Sequence, residues 1–304
     1  MSRTVLRFLI SLAVCQWVVL FSAHGQAVPN LSNLVSVSDV VAVARVATVT
    51  QTGSGAVEFP WHQSIPAHFR VATLRLLEML KGTASSVEVQ VSHTILYSPG
   101  GWGGGVPKGY TIRDTLVPNS TRLVFLKRVG ERYEFTDGSY LSVVCAPETG
   151  HGTEVGSAFD RVVSHISAAP FSASVPTSEK LEVIWQLRSV EAESVVSTLK
   201  RFLSGEEARG NQALRTEALA ALLGGHHDQS VLDDAEAELL SGASTYSKCN
   251  LLLAFTNVVP PSRSGPVIDH LANSNPQLRD CVARHPRMAS DQPRTSRSRH
   301  GEPR

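Results

Sequence analysis

The sequence has 304 residues, of which 42% are hydrophobic and 18% are charged, and its formal net charge is +1. This length exceeds one domain of typical size, and this apolar content is enough to build packed cores. A net charge near zero excludes a surface that attracts nucleic acid over its whole extent. Four cysteines are too few for a small domain held together by disulfides.

Residues 1–27 have the pattern of a secretory signal peptide. Arg3 and Arg7 accompany an apolar run over residues 5–21, and Gly25 and Ala27 are small residues placed before a cleavage point. The alternative is a retained membrane anchor, but the run is short against the roughly 20 residues that span a bilayer. We therefore expect cleavage near Ala27 and a secreted or periplasmic mature chain without a membrane span.

Residues 28–147 are predicted to form a β domain, with strand patterns from residue 38 onward. Residues 40–49 are apolar and β-branched, as is typical of a strand buried on both faces. Residues 69–80 form a second candidate, in which the adjacent Leu76 and Leu77 indicate a bulge or a bend.

Shorter strand candidates follow. Residues 87–92 alternate valine with polar side chains, which predicts one solvent-facing side. Residues 123–126 are continuously apolar, and further candidates lie at residues 132–135 and 140–145. No long helical pattern separates the strands, so we expect a small barrel or sandwich and not a parallel α/β sheet.

Glycine and proline over residues 148–176 indicate a linker, with one short amphipathic segment at residues 159–166. From residue 177 to residue 283 the apolar spacing becomes helical. One predicted helix has a face formed by Leu181, Ile184 and Trp185. A second predicted helix has a face formed by Val195, Leu199 and Phe202.

The predicted helices repeat. Positions in residues 214–222 recur 32 residues later in residues 246–254, and again in residues 278–283. A period of this length made of paired helices is typical of a solenoid, because each pair has an apolar face that only its neighbours cover.

The two halves resemble known families. The β half is similar to exported OB-fold domains related to netrin and TIMP inhibitor modules, through Ser38-Asp39-Val40-Val41, Glu78-Met79-Leu80-Lys81-Gly82, and Arg122-Leu123-Val124-Phe125-Leu126 before Tyr133. The helical half resembles HEAT-like repeats, through Ala213-Leu214-Arg215, Ala218-Leu219 and Asn275-Pro276-Gln277-Leu278-Arg279. HEAT-like repeats imply a binding surface or scaffold. TIMP-type inhibitors place an N-terminal cysteine on a protease zinc, whereas Cys145 is the first cysteine of the expected mature chain, so that activity is not implied.

Two local patterns are candidate sites. Residues 100–105, Gly-Gly-Trp-Gly-Gly-Gly, read either as a loop presenting Trp102 to a ligand or as a connection whose Trp102 packs back on the sheet. His226, His227 and Asp228 contain zinc-ligand side chains, but adjacent histidines diverge and Asp228 fits a helix N-cap. We therefore predict no metal site and no cofactor.

No catalytic motif stands out. The chain has no GxSxG elbow, and Cys145 has no partner histidine identifiable from its spacing. The carboxylates Glu58, Glu78 and Asp114 form an acid–base couple only if folding brings a pair of them together. His62 and His68 lie close in sequence but match no metal-binding spacing.

Cys249 and Cys281 occupy equivalent repeat positions, so they form either a disulfide or two separately buried thiols.

Residues 284–304 contain six arginines, whereas Asp291 and Glu302 are the acidic residues of this segment. This end is a disordered basic tail, a basic arm for a polyanion, or the product of a reading-frame change.

These patterns together predict an α+β protein with an N-terminal OB-like barrel and a C-terminal HEAT-like array, incomplete at its C-terminus. We expect an exported, non-catalytic protein that binds a protein partner in the envelope or extracellular space. The alternative is an envelope hydrolase whose active site lies in the barrel.

Overall fold

The computed structural model describes residues 30–58, 64–96, 115–137, 142–146, 156–241, 245–274 and 281. In these ranges an N-terminal sheet of six strands is followed by helices, which confirms the predicted two-part α+β layout. Among the described helices, none has the length and apolar character needed to cross a membrane. The predicted signal peptide, Trp102 and the basic tail lie outside the described residues.

The sheet follows a short helix, α1 (Leu31–Val37), whose first turn is capped by the side chain of Asn30. Its strands are β1 (Val40–Glu58), β2 (Ser64–Lys81), β3 (Glu88–Leu96), β4 (Thr121–Val129), β5 (Arg132–Phe135) and β6 (Val143–Val144). β1 pairs with both β2 and β4 in antiparallel fashion, and β3 pairs with β5 in parallel. The pairings therefore run β1-β2-β3-β5-β4 and return to β1.

The first part of β1, from Val40 to Ala44, and the middle of β4, from Arg122 to Leu126, are buried on both faces. One face contributes to a cluster of strand residues that includes Val40, Ala42, Val124 and Leu126. The opposite face packs against helices through Val41, Val43, Leu123 and Phe125. Side chains on both faces of these segments are therefore shielded from water, which explains why the sequence is continuously apolar there and does not alternate.

The predicted irregularity in β2 is confirmed as a bulge. Val43 pairs with Glu78 and Ala44 pairs with Leu76, which leaves Leu77 as the extra residue. After β2, Gly82 has a φ of 71°, and a Cβ there would collide with the carbonyl oxygen of Asp39. Glycine is therefore required where the end of β2 passes the start of β1.

The helices that follow are α2 (Ala158–Ala168), α3 (Thr177–Leu187), α4 (Glu193–Ser204), α5 (Glu206–Gly210), α6 (Gln212–Gly224), α7 (Leu232–Leu240), α8 (Thr245–Val258) and α9 (Pro261–Ser274). Helix α2 confirms the short amphipathic segment, and a capping box between Ser157 and Asp160 fixes its start. α6 contacts α3 on one side and α8 on the other, and α7 contacts α9. Successive helix pairs therefore lie side by side.

One predicted helix face is confirmed, and the other is confirmed in part. Val195, Leu199 and Phe202 are all buried on α4. On α3, Leu181 and Trp185 are only half-buried, whereas Val183, Ile184 and Leu187 are buried. The buried stripe is rotated from the predicted one because α3 contacts both α6 and β6.

The sheet and the helices share one core. A single cluster of buried side chains contains Val41 and Phe125 from the sheet together with Ile166, Leu187 and Leu219 from the helices. At the same junction, the Arg161 guanidinium of α2 donates to the carbonyl oxygens of Met79 (3.3 Å) and Leu80. Helix α2 is therefore fastened to the end of β2.

Candidate functional site

A groove lies between α2 and α4, close to where the helices meet the sheet. One part is a cavity of about 440 Å³ lined by both helices, and the other is a cavity of about 540 Å³ at the C-terminal end of α2. Ala168 and Arg201 line both cavities. We call the two together the α2–α4 groove.

The spacing of side chains on the two helices creates this groove. On α2, apolar Val162 and Ile166 face the core, while Asp160, Ser164 and Ser167 line the groove at helical spacing. On α4, the groove is lined by Ala192, which precedes the helix, and by Ser194, Thr198 and Arg201. Because these side chains are mostly small, the facing surfaces do not fill the space between the helices.

Arg201 is the cation of the groove. Its guanidinium carbon lies 4.4 Å from the ring centroid of Phe171, which forms a cation–π contact. Phe171 in turn packs edge-on against Phe202 with ring centroids 5.8 Å apart. Among the described residues, no carboxylate lies within ion-pair distance of Arg201.

Ser167 supplies an unsatisfied polar atom to the same groove. The residue is only 8% exposed, and its Oγ has no hydrogen-bond partner among the described residues. An unsatisfied buried hydroxyl costs about 1–3 kcal/mol. The Oγ itself is enclosed, so a ligand atom bonds to it, and recovers that cost, only if the Ser167 side chain rotates toward the groove.

The nearest approach to a catalytic constellation lies at the sheet–helix junction. His165 Nε2 on α2 is 3.1 Å from Glu78 Oε2 on β2, and the Ala146 N–H donates to the His165 carbonyl at 3.3 Å, which brings Cys145 into the neighbourhood. Burial raises the pKa of the Cys145 thiol to about 12. The thiol is therefore protonated at neutral pH, whereas a nucleophilic cysteine reacts as the thiolate.

Two of the three candidate carboxylates, Glu58 and Glu78, are not brought together by the sheet. Glu58 pairs with Ser64 at the far end of β1, whereas Glu78 pairs with Val43 near its start. Because residues advance about 3.3 Å along a strand, these two carboxylates lie far apart. Asp114 lies outside the described residues.

The ring of His226 lies against a backbone carbonyl, and Asp228 is a cap. His226 Nε2 lies 3.1 Å from the Leu187 carbonyl oxygen, and His227 has a φ of 54°. Asp228 accepts from the Ser230 N–H at 3.1 Å at the start of a short 3₁₀ helix, which confirms the N-cap prediction. Its other oxygen lies 2.7 Å from Lys200 Nζ.

The remaining candidate site residues from the sequence analysis are the metal-ligand types, His62 and His68, and the cysteine pair. Within the described part of the chain, no cluster of three His, Cys, Asp or Glu side chains is arranged to hold a metal ion. His68 Nδ1 lies 3.1 Å from Ser54 Oγ, and His62 is outside the described residues. Cys249 and Cys281 form a disulfide with their Cα atoms 5.9 Å apart, which links α8 to Cys281, a residue in helical conformation beyond α9.

Sequence reasoning did not single out Ser167, Phe171 or Arg201. Each is a common residue type, and the groove arises only when two helices separated along the chain pack together. The available signal was the small polar spacing on the side of α2 opposite its apolar stripe.

No protein-family model matches this chain, and the curated proteins contain no relative at a significant level of similarity. What the protein does is therefore inferred from its residues and their arrangement.

Proposed function

We propose that this protein is an exported, non-catalytic binding or scaffold protein of the cell envelope that engages a protein partner through the α2–α4 groove. The observation that carries the proposal is the combination in one groove of a cation, Arg201, and a buried hydroxyl, Ser167, neither of which has an ion-pair or hydrogen-bond partner among the described residues. A binding site with few convergent polar groups in a concave surface has this character.

The architecture supports a binding role. A ring of five strand pairings, antiparallel except between β3 and β5, supports an OB-like barrel, a fold that binds ligands through one face and its loops. The side-by-side helix pairs support a HEAT-like array, which presents an extended surface. The export proposal rests on the signal-like pattern of residues 1–27.

Site-specific photocrosslinking tests the proposal. A photoreactive amino acid at Thr198, inside the groove, is expected to crosslink one partner in envelope extract from the source cells, and Arg201→Gln is expected to abolish that product. The matched control carries the same group at Glu134, which is exposed on β5. A partner captured equally from both positions, or from neither, contradicts a role for the groove.

A second candidate is an envelope hydrolase, and one observation favours it, the contact between His165 and Glu78. His165 is 2% exposed, however, so a substrate would reach it only after movement of α2. Labelling of Cys145 in the folded protein by a thiol-directed covalent probe would support this candidate.

A further inference from the structure

We infer that the α2–α4 groove binds an extended peptide segment that carries one acidic side chain, with the guanidinium of Arg201 receiving the carboxylate and the Ser167 side chain turning into the groove to bond to the peptide. This inference rests on the proposed binding function and adds the chemistry of the ligand.

The first step concerns the position of the Arg201 guanidinium and the N–H groups that it can offer to a ligand. The Phe171 ring packs against the guanidinium at 4.4 Å and restricts its position. The N–H groups at the guanidinium edge lie in the plane and are not used by that stacking contact. A carboxylate accepts two parallel N–H bonds from such an edge, which is the geometry that distinguishes arginine from lysine.

The second step is the charge of the lining. Arg201 is the only cationic residue in the described lining, and Asp160 contributes a carboxylate elsewhere in the groove. Hydrogen bonds from Ser157 lower the pKa of Asp160, so it is ionised at neutral pH. One cation and one anion suit a single ligand carboxylate within an otherwise neutral chain. They disfavour a polyanion such as nucleic acid or an anionic lipid surface, which calls for several cations.

The third step is the shape. The cavities of about 440 and 540 Å³ both contact Arg201 and Ala168, so a ligand anchored at Arg201 extends in two directions. An acidic residue inside a peptide fits this arrangement better than a small free anion. Ser164, Thr198 and Ser172 along the two cavities offer hydroxyls that donate to and accept from a peptide backbone.

The fourth step is the unsatisfied hydroxyl. Ser167 lies one residue before Ala168, which lines both cavities, and its buried Oγ has no partner in the part of the chain that the structure describes. Rotation of the Ser167 side chain into the groove lets a peptide carbonyl or N–H satisfy this Oγ. The resulting hydrogen bond places the ligand at the centre of the groove, beside Ala168.

Selection from a displayed library of random decapeptides tests the inference on the full chain. We expect enrichment of peptides with an Asp or Glu flanked by uncharged residues. A glutamine in place of that acid is expected to weaken binding of a selected peptide about two- to fivefold in fluorescence anisotropy, because Arg201 is exposed and solvent weakens an ion pair at an exposed side chain.

Two variants and a control locate the effect. Arg201→Gln should remove the preference for the acid over its glutamine counterpart, and Thr198→Trp should block binding by filling the groove. Arg132→Gln makes the same charge change on exposed β5 and should leave binding unchanged. Circular dichroism spectra matching the parent will establish that the variants are folded.

The outcomes separate the inference from the proposed function. Enrichment without acidic residues, or an acid preference that survives Arg201→Gln, overturns the inference, while crosslinking at Thr198 still supports the function. If the library gives no enrichment and Thr198 captures no partner, both the inference and the proposed function are refuted. Equal loss of binding in Arg132→Gln shows non-specific charge attraction and also overturns the inference.

Discussion

The ion pair between Arg122 and Glu179 joins the sheet to the helices, and its two members should respond unequally to mutation. Arg122 on β4 is 3% exposed and donates to Glu179 Oε1 on α3 at 2.6 Å. Its Nε also donates to Ser120 Oγ at 3.1 Å. The Glu179 side chain is 25% exposed, so water reaches the acid but not the base.

The asymmetry sets the expected magnitudes. Glu179→Ala leaves the Arg122 guanidinium buried without its counter-charge, and breaking a buried pair from one side costs about 3–5 kcal/mol. Because water enters through the space that Glu179 leaves, we expect the lower end, about 3 kcal/mol. Arg122→Met keeps the apolar stem and leaves a carboxylate that water already solvates, so we expect a loss of about 0–1 kcal/mol.

Urea unfolding followed by tryptophan fluorescence measures these free energies, with constant m values as the condition for comparing them. The matched control is Glu131→Ala in the exposed turn before β5, which should stay within about 0.5 kcal/mol of the parent. The double variant of Arg122 and Glu179 should lose less than Glu179→Ala alone, since the buried charge has gone. Equal losses for Arg122→Met and Glu179→Ala would refute this reasoning.

Three further predictions concern titratable groups and the disulfide. Burial raises the pKa of Glu217 above its ordinary value of 4.5. The stability gained by protonating Glu217 is therefore present below pH 4.5 and is lost as pH rises through the folded-state pKa. In urea titrations, Glu217→Gln should be more stable than the parent at pH 7 and equally stable at pH 3. Cys145, with its pKa raised to about 12, should resist iodoacetamide at pH 8 until urea unfolds the protein, and rapid labelling of folded protein would contradict its burial. The denatured, unreduced chain from Val28 should titrate one free thiol, where three would reject the bridge between Cys249 and Cys281. Reducing that bridge, which spans a sequence separation of 32, should cost about 3–4 kcal/mol in urea unfolding.

The length of β1 shows what a local pattern misses. The apolar run predicts a strand over residues 40–49, but β1 continues to Glu58 through a polar stretch that contains Gly53 and Gly55. The strand persists because β2 pairs with it over this whole length and because the Phe69 ring lies over both glycines. Pairing and ring packing come from a distant part of the chain, so local propensity could not predict them.

In strand β4, by contrast, the local pattern predicts the burial of the strand correctly. Four consecutive apolar residues predict burial on both sides of the strand, and all four are at most 1% exposed. The sequence pattern could not predict what covers the second face, because the helices that pack there are distant in sequence: α1 precedes β1, and the others begin more than thirty residues after these four apolar residues. The predicted linker region in fact supplies α2, one of the helices that share this core.

Helix α2 connects the proposed site to the core. Its Val162 and Ile166 pack in the shared cluster, its Arg161 donates to the end of β2, and its opposite side lines the groove beside Ser167. A ligand in the groove therefore contacts an element whose position is set by the sheet as well as by the helices. Because a ligand that binds only the folded state stabilises it, occupation of the groove also stabilises the packing of the sheet on the helices. The sheet thus helps to position one wall of the proposed site, although the groove itself is lined mostly by helical residues, together with Ala146 after β6 and the turn from Ser172 to Ser174.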